Sequence, residues 1–406
     1  MSDNHQWQTK ALRDLAKINY GKSPAGILTE EGEYPVVGTG GVERMGKGYL
    51  HEGDSIILGR KGTIDRVQFV TGKFWTIDTA YYLSHFTTSS PLWLYYFLQT
   101  IDLRQLNEAT GVPSLSRELL YKINISTPPK KEQPKIADIL STVDRAIEQT
   151  ENFIAKQQRI KNGLMQDLLT KGIDENGNIR SEETHEFKDS PLGRIPVEWD
   201  VKILDNVSDI KYGISDAIDT MNKNGIPTIT LPCISPDGKL DLSISKIVYT
   251  PKKNVKDIDL LMYEDLLFNW RNGSKNHLGK TAFFNIHDEY THVGFLLRIR
   301  AKPDSAFSKF LWYIINYIKE NGYFLNAKIQ VNNTFNSHEL KSVALSFPSI
   351  VEQKAICERL DSLEYAIFNT TIRFDKLRSL KTALMQDLLT GKVRVTSLLD
   401  GREAGV

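Results

Sequence analysis

Few residues in this chain have the type and spacing that bond-making chemistry needs. Gly41, Gly46 and Lys47 stand in the GxxxxGK spacing of a loop whose backbone N–H groups and lysine cradle phosphate. The next residue is Gly48, where such a loop places the Ser or Thr that holds Mg2+, and no long helix follows. We therefore read residues 41–47 as a glycine-rich β-turn region. Asp237 and Lys239, after Pro236, have the outline of a nuclease carboxylate–lysine pair, but so short a match specifies nothing by itself. The Asn-Pro-Pro-aromatic and Asp-Pro-Pro-Tyr motifs of amino-methyltransferases do not occur. The eight histidines show no metal-ligand spacing, and Cys233 and Cys357 are isolated. The chain is thus expected to carry no catalytic residue, metal or cofactor of its own.

What remains is the chemistry of recognition. Arg60-Lys61-Gly62-Thr63 and Arg271-Asn272-Gly273-Ser274 each follow an apolar, strand-like run, with glycine allowing a tight turn. Arginine grips guanine O6 and N7, or a phosphate, in bidentate fashion, and asparagine reads adenine. Arg66, Lys73, Lys275 and Lys280 lie close by in sequence. Arg44 and Lys47 in the first half of the chain, and Lys223, Lys328, Asn332 and Asn333 in the second, complete the candidate set for DNA contact. Each alone is an ordinary solvated side chain at a turn. The repeated placement of the two turns is what points to binding.

These turns need something to hold them apart and in register, and an internal repeat supplies it. Residues 132–170 and 352–390 align without a gap at an offset of 220, with 16 of 39 positions identical, including LMQDLLT at 164–170 and 384–390. Both read as long helices of about 55 Å at ~1.5 Å per residue. Ile136, Leu140, Val143, Ile147, Ile154, Leu164 and Leu168 in the first, and Ile356, Leu360, Leu363, Ile367, Phe374, Leu377, Leu384 and Leu388 in the second, fall on the alternating four-three spacing of a coiled-coil seam. Polar residues interrupt both seams at matching places, Thr150 with Thr370 and Lys161 with Lys381, a device that fixes register.

The flanking regions repeat more loosely. Trp7, Leu12, Ile18 and Tyr20 match Trp199, Leu204, Ile210 and Tyr212 at an offset of 192. Residues 55–63 match 266–274 at 211, a helix at 91–99 matches 310–318 at 219, and Leu120, Ile123, Ser126 and Pro128 match Leu340, Val343, Ser346 and Pro348 at 220. The growing offset means that the second globular region carries insertions. The expected order is a globular domain at 1–131, a helix at 132–170, a polar connector at 171–198, a second globular domain at 199–351, a helix at 352–390 and a tail at 391–406. The fold class is α+β: two mixed α/β domains separated by two long helices that form an antiparallel coiled coil, the halves related by a pseudo-two-fold internal repeat.

Composition bounds the rest. With 406 residues, a net charge of +1 and 25% charged residues, the chain reads as a globular protein and not as a stand-alone, non-specific nucleic-acid binder. Two isolated cysteines suggest a reducing compartment. The N-terminus has no apolar signal region, and no stretch reaches the ~18 apolar residues of a membrane span. The expected location is the cytoplasm.

Taken together, the two LMQDLLT helices, the stretch KDSPLGRIP at 188–196 leading to Trp199, and the paired Arg-Lys-Gly-Thr and Arg-Asn-Gly-Ser turns make the chain resemble the specificity subunit of type I restriction–modification systems over essentially its whole length. The resemblance implies that each globular domain is a target-recognition domain reading one half of a bipartite, asymmetric site on double-stranded DNA. The helices would be spacers that dock two adenine methyltransferase subunits, with restriction/translocase subunits joining them. S-adenosylmethionine, ATP and Mg2+ would belong to those partners. Two other classes stay open from the residues themselves: an autonomous nucleotide-dependent enzyme, and a coiled-coil interaction protein without DNA specificity.

Overall fold

A computed structural model describes residues 6–215, 224–235, 237–243, 246–271, 277–326 and 334–399. The chain divides into two compact units, Met1–Phe153 with Thr370–Val406, and Ile154–Asn369. Each unit holds one globular domain and parts of both long helices.

In unit 1, β1 (Gln8–Ala11), α1 (Leu12–Leu15) and β2 (Lys17–Tyr20) lead into β3 (Tyr34–Gly38), β4 (Gly41–Gly46) and β5 (His51–Glu52). Then come β6 (Ser55–Gly59), β7 (Val67–Val70), β8 (Lys73–Thr76), β9 (Ala80–Ser84) and α2 (Pro91–Leu98). The domain closes with α3 (Arg117–Tyr121) and β10 (Asn124–Thr127), followed by the long α4 (Glu132–Thr170). One antiparallel sheet runs β2-β9-β6-β7, and a second runs β4-β3-β8-β5 with β3 and β8 parallel. Strand β6 is buried throughout because Ile56, Ile57 and Leu58 present β-branched and aliphatic groups to both sides, while Ser55 donates to the Leu83 carbonyl at 2.6 Å. Helix α2 starts where Ser90 caps the Trp93 N–H and Pro91 stands in the first turn, where a missing N–H costs nothing. Residues 41–47, read from sequence as a turn region, are instead mostly strand β4, paired with β3 beyond a turn at 39–40. That geometry leaves no phosphate-cradling loop, and the nucleotide-enzyme alternative loses its support.

In unit 2 the connector carries a hairpin, β11 (Phe187–Ser190) with β12 (Gly193–Pro196). It is followed by β13 (Asp200–Ile203), α5 (Leu204–Val207), β14 (Ser208–Tyr212), β15 (Ile226–Ile229) and β16 (Val248–Thr250). Next are β17 (Leu266–Asn269), β18 (Thr281–Phe283), β19 (Thr291–His292), β20 (Leu296–Ala301), α6 (Ser308–Glu320) and α7 (Tyr323–Asn326). The domain ends with α8 (Ser337–Lys341) and β21 (Ala344–Phe347), and the chain continues through α9 (Ile350–Leu389) to α10 (Thr396–Leu399) of unit 1. The sheets β14-β20-β17-β18 and β16-β15-β19 repeat the strand orders of unit 1, including the parallel pair β15·β19. On β20, Arg298 donates to the Ile258 carbonyl and to Asp209, and Arg300 to the Leu260 carbonyl and Asp265. Arg298 and Asp265 are buried, and the bonds to Ile258, Leu260 and Asp265 pin the inserted segment 250–265 to the sheet. The matching strand β9 is uncharged.

His292 adds a pH dependence. Burial, with Arg298 nearby, holds its pKa down at about 3, against 6.5 when exposed. Between those values the unfolded chain takes up a proton that the folded chain excludes. Stability is therefore full above about pH 6.5 and is lost as the pH falls toward 3. The loss should reach about 2 kcal/mol at pH 5. Hydrogen exchange of the β19 and β20 amides at pH 7 and pH 5, corrected for intrinsic rates, measures it. His292→Thr, which copies Thr76 at the end of β8, should remove this share of the dependence, and an unchanged slope would assign it elsewhere.

The two long helices repeat their packing in each unit. Every seam position named above is buried or half-buried, from Ile136, Leu140 and Leu168 to Ile356, Leu360 and Leu388. In unit 1, Glu132 pairs with Arg394 and Asp144 with Lys381 (2.7 Å), so the two helical segments there run antiparallel. In unit 2, Lys161 pairs with Glu364 and Glu352 meets Arg180 and the Ile173 N–H, again an antiparallel arrangement. The polar interruptions are thereby satisfied: each seam lysine finds a carboxylate, and the carboxylates, Asp144 and Glu364, are themselves 220 residues apart. The domains grip the helices in the same way twice. Gln133 accepts from the Ser90 N–H and Gln353 from the Phe307 N–H, while the Tyr96 hydroxyl donates to Asp144 and that of Tyr313 to Asp361. Burial, then the adjacent carboxylate, pushes both tyrosine pKa values up. No helix among the described residues is long and apolar enough to cross a membrane.

Candidate nucleic-acid interface

In unit 1 three segments converge on Arg60. The Arg60 and Lys61 N–H groups both donate to the Thr79 carbonyl, the Leu115 N–H donates to the Arg60 carbonyl, and the Gly62 N–H to Pro113. A side chain on Gly59 would come within 2.0 Å of the Thr63 carbonyl, so the turn closes only with glycine there. Arg60 donates through Nη1 to the Asp78 carbonyl at 3.0 Å, and its guanidinium lies 5.2 Å from the ring of Tyr20. Arg117, the first residue of α3, lies 4.9 Å from the same ring. Beneath them Tyr81 is buried, its hydroxyl donating to Leu115, and burial raises its pKa. Lys61 and Thr63 are exposed beside this cluster.

The other candidates of unit 1 scatter. Arg66 donates to the Gly40 carbonyl at the β3–β4 turn, which Gln68 also holds through Gly38 and Thr39. Arg44 and Lys47 are exposed on and just after β4. Lys73 starts β8, at the end away from Arg60, and packs over Tyr49 at 4.9 Å and Tyr34 at 6.0 Å. In unit 2 only Arg271 and Lys280 can be placed. Lys223, Asn272, Ser274, Lys275, Lys328, Asn332 and Asn333 lie outside the described residues. Arg271 is exposed, with its guanidinium 5.8 Å from the ring of Phe295. Lys280 is 6% exposed and donates to the Ile234 carbonyl; burial lowers its pKa, with Lys319 adding to the effect. It is a structural lysine, and its place in the surface-facing set is withdrawn. Asp237 pairs with its neighbours Ser235 and Lys239, and among the described residues no metal-holding group of three or more His, Cys, Asp or Glu occurs.

The structure also corrects the register between the two domains. Tyr20 pairs with Tyr81 across β2–β9, and Tyr212 with Leu297 across β14–β20. Tyr81 faces Leu58 and Leu297 faces Phe268, so the central strands align at an offset of 210 (Leu58 to Phe268), one less than the sequence match. The isolated bridges beyond them agree: the Leu115 N–H donates to Arg60 and the Phe335 N–H to Trp270, and the bridges Lys61–Ser114 and Arg271–Thr334 are equivalent. Arg271 is therefore the counterpart of Lys61, and the counterpart of Arg60 is Trp270. Helix α6 likewise follows α2 at 217 (Ser90 to Phe307), two less than expected.

Sequence reasoning missed Tyr20 and Arg117 as site residues. Tyr20 was visible as a repeated residue, and its 45% exposure, shared with Tyr212, separates it from a core aromatic. Arg117 had no such signal.

The sequence pattern described as the type I restriction modification DNA specificity domain matches residues 4–157 and again residues 196–373. The chain belongs to this specificity-domain family. The specificity subunit of the type I restriction enzyme MjaVIII from Methanocaldococcus jannaschii is 26% identical to it, over 97% of this chain and 94% of that one. The EcoKI specificity subunit of Escherichia coli is 26% identical over 50% of this chain and 44% of its own. Among solved structures, a type I restriction–modification S subunit from M. genitalium has the same fold with a TM-score of 0.63, at 14% identity and 95% coverage of this chain and 96% of that one. A chain from a study of complex assembly and conformational transition of a type I system has a TM-score of 0.57 at 16% identity, covering 96% and 99%. Two specificity domains and two intervening helices thus account for nearly the whole chain.

Proposed function

We propose that this specificity subunit reads a bipartite, asymmetric target on double-stranded DNA, one domain per half-site. It carries no catalysis of its own. It docks adenine methyltransferase subunits, two per chain, and restriction/translocase subunits, and those partners bring S-adenosylmethionine, ATP and Mg2+. The observation that carries the reading is the family match falling twice, once on each globular domain. The asymmetry rests on unlike residues at equivalent places, Arg60 against Trp270 and Arg117 against Ser337. Phosphate contacts would position each domain, and base-edge contacts would specify the sequence.

The helices in this reading set the gap between half-sites. A seven-residue insertion after a seam heptad of one helix lengthens it by about 10 Å, equal to about three base pairs of duplex. Co-expression with the methyltransferase subunit, followed by mapping of methylated adenines, should then show half-sites separated by a changed gap, or no assembled complex. An intact complex methylating the original spacing would defeat the spacer role.

A further inference from the structure

We infer that Tyr20 and Tyr212 mark the same reading position in the two domains, and that their unlike companions give it unlike chemistry: Arg60 and Arg117 form a paired guanidinium reader of guanine in one half-site, whereas Trp270 and Ser337 form an uncharged reader in the other. This rests on the reading that the domains recognise DNA, and it names which residues do so and for which base chemistry.

Both tyrosines end the first strand of a four-stranded sheet, and both are 45% exposed. Around Tyr20 two arginines lie 5.2 and 4.9 Å from the ring centre, beside the Tyr81 ring at 5.2 Å. A guanidinium lying over an aromatic ring keeps the N–H donors around its edge available, because ring attraction does not consume them. Arg60 is further oriented by one bond to the Asp78 carbonyl, which leaves the remaining donors for a ligand. Arg117 also lies 6.0 Å from the Tyr121 ring, and its Nε comes within 3.9 Å of Glu118. That Nε is itself buried, but the side chain as a whole is 37% exposed, which leaves its other N–H donors open to a ligand. Two forks gathered at one ring suit an acceptor-rich edge, and guanine, with O6 and N7 adjacent in the major groove, is the base that offers one.

At the equivalent described positions in unit 2 both arginines are replaced by uncharged residues. Trp270 meets Tyr212 edge to face at 5.3 Å, where Arg60 meets Tyr20. Ser337 replaces Arg117 at the start of the matching helix, and its backbone N–H donates to the Tyr212 hydroxyl at 2.9 Å. The Trp270 indole N–H is already used by the Gly294 carbonyl at 2.7 Å. What this cluster presents is ring surface, which suits an apolar feature such as the thymine methyl group.

The test uses the full chain in complex with its methyltransferase subunit. Binding is measured on duplexes carrying the methylation target that the wild-type complex defines, with guanine or 7-deazaguanine, which lacks N7, at each position of the first half-site. Arg117→Ser and Arg60→Ala should each weaken binding to the guanine duplex about tenfold or more, and only through the first half-site. At one position, 7-deazaguanine should weaken the wild type and leave the variants little changed. Tyr20→Phe, which keeps the ring, should bind as the wild type does, while Tyr20→Leu should follow the arginine variants. Tyr212→Leu should affect the second half-site alone. An equal loss for Arg117→Ser on every DNA sequence would make it a phosphate contact and overturn the proposal, as would unchanged binding in a variant whose thermal melt matches the wild type. A wild-type complex that methylates without sequence preference would instead sink the functional reading beneath it.

Discussion

Glu352→Ala should cost unit 2 about 3–5 kcal/mol of stability, the largest effect expected of any single exchange outside the hydrophobic core. The Glu352 carboxylate accepts from Arg180 Nη1 at 2.5 Å and Nη2 at 3.2 Å, from the Ile173 N–H at 2.9 Å and from Trp199 Nε1 at 3.3 Å. The Arg180 and Glu352 side chains are 8% and 11% exposed, so removing the carboxylate strands a buried guanidinium and two N–H donors together. Gly172 has φ +66°, and a side chain there would come within 2.1 Å of the Glu352 carboxylate, so the pocket has no slack in which to rearrange. Urea unfolding followed by Trp199 fluorescence measures the loss. A shift below about 1 kcal/mol would mean that the pair behaves like a surface ion pair and that the latch is incidental. Glu352→Gln should fall between the two, because it keeps an acceptor but not the charge.

The second large effect is expected at the far end of the sequence. Arg394 reaches Glu132 with Nε at 2.9 Å and with Nη2, and the Glu132 side chain is only 3% exposed. Trp7 lies 6.0 Å from the same guanidinium and packs against Gly391, whose φ of +76° matches the glycine of the other latch. Arg394→Ala should cost unit 1 about 3 kcal/mol, because Glu132 is left buried without its cation. Deleting everything after Thr390 should add about 1.5 kcal/mol through the loss of Val395, which is 1% exposed. The readout is hydrogen exchange in β2, β6 and β9, none of which touches the deleted residues in sequence. Unchanged protection there would show that the tail only decorates the unit. Arg394→Lys should recover less than half of the loss, since an ammonium cannot make the two-pronged contact.

These two latches show which parts of the molecule sequence reasoning can and cannot reach. The helices were legible because a seam repeats every few residues, so packing leaves a periodic trace that Ile136 or Leu360 can be read from directly. Strands β6 and β17 were legible as the apolar, strand-like runs before Arg60 and Arg271. Strands β1, β2 and β10 were missed because short pieces such as Gln8–Ala11 and Lys17–Tyr20 mix polar and apolar residues, and only their pairing partners make them strands. Neither latch left a trace at all, because Arg180 and Glu352 are 172 residues apart and Arg394 and Glu132 are 262 apart. Lys280 was misjudged because sequence does not report burial.

The slip between Arg60 and Arg271 has a different cause. Two short Arg-containing turns look alike, and a gapless comparison prefers to match them. Backbone hydrogen bonds decide otherwise and match Arg60 to Trp270. In a strand the error matters, because a shift of one residue turns every side chain to the opposite face. A chimaera joined at the sequence-matched position would drive Phe268 out of the core that Leu58 fills in the other domain. The same domains joined at the offset of 210 keep both inside.

Unit 1 contains the first residues of the chain and also its last described ones. Leu388, Leu389 and Val395 sit in one core with Leu12, Ile56 and Trp93, whereas unit 2 is a single continuous stretch. A ribosome makes the first domain early but supplies the helix end and the arginine that complete it only after all of unit 2 has been translated. The order of folding should therefore run against the order of synthesis, with unit 2 finished first and unit 1 waiting with part of its apolar surface uncovered. A truncated product of translation would then carry a sound second domain and an unfinished first one, which makes it a natural target for cellular proteases.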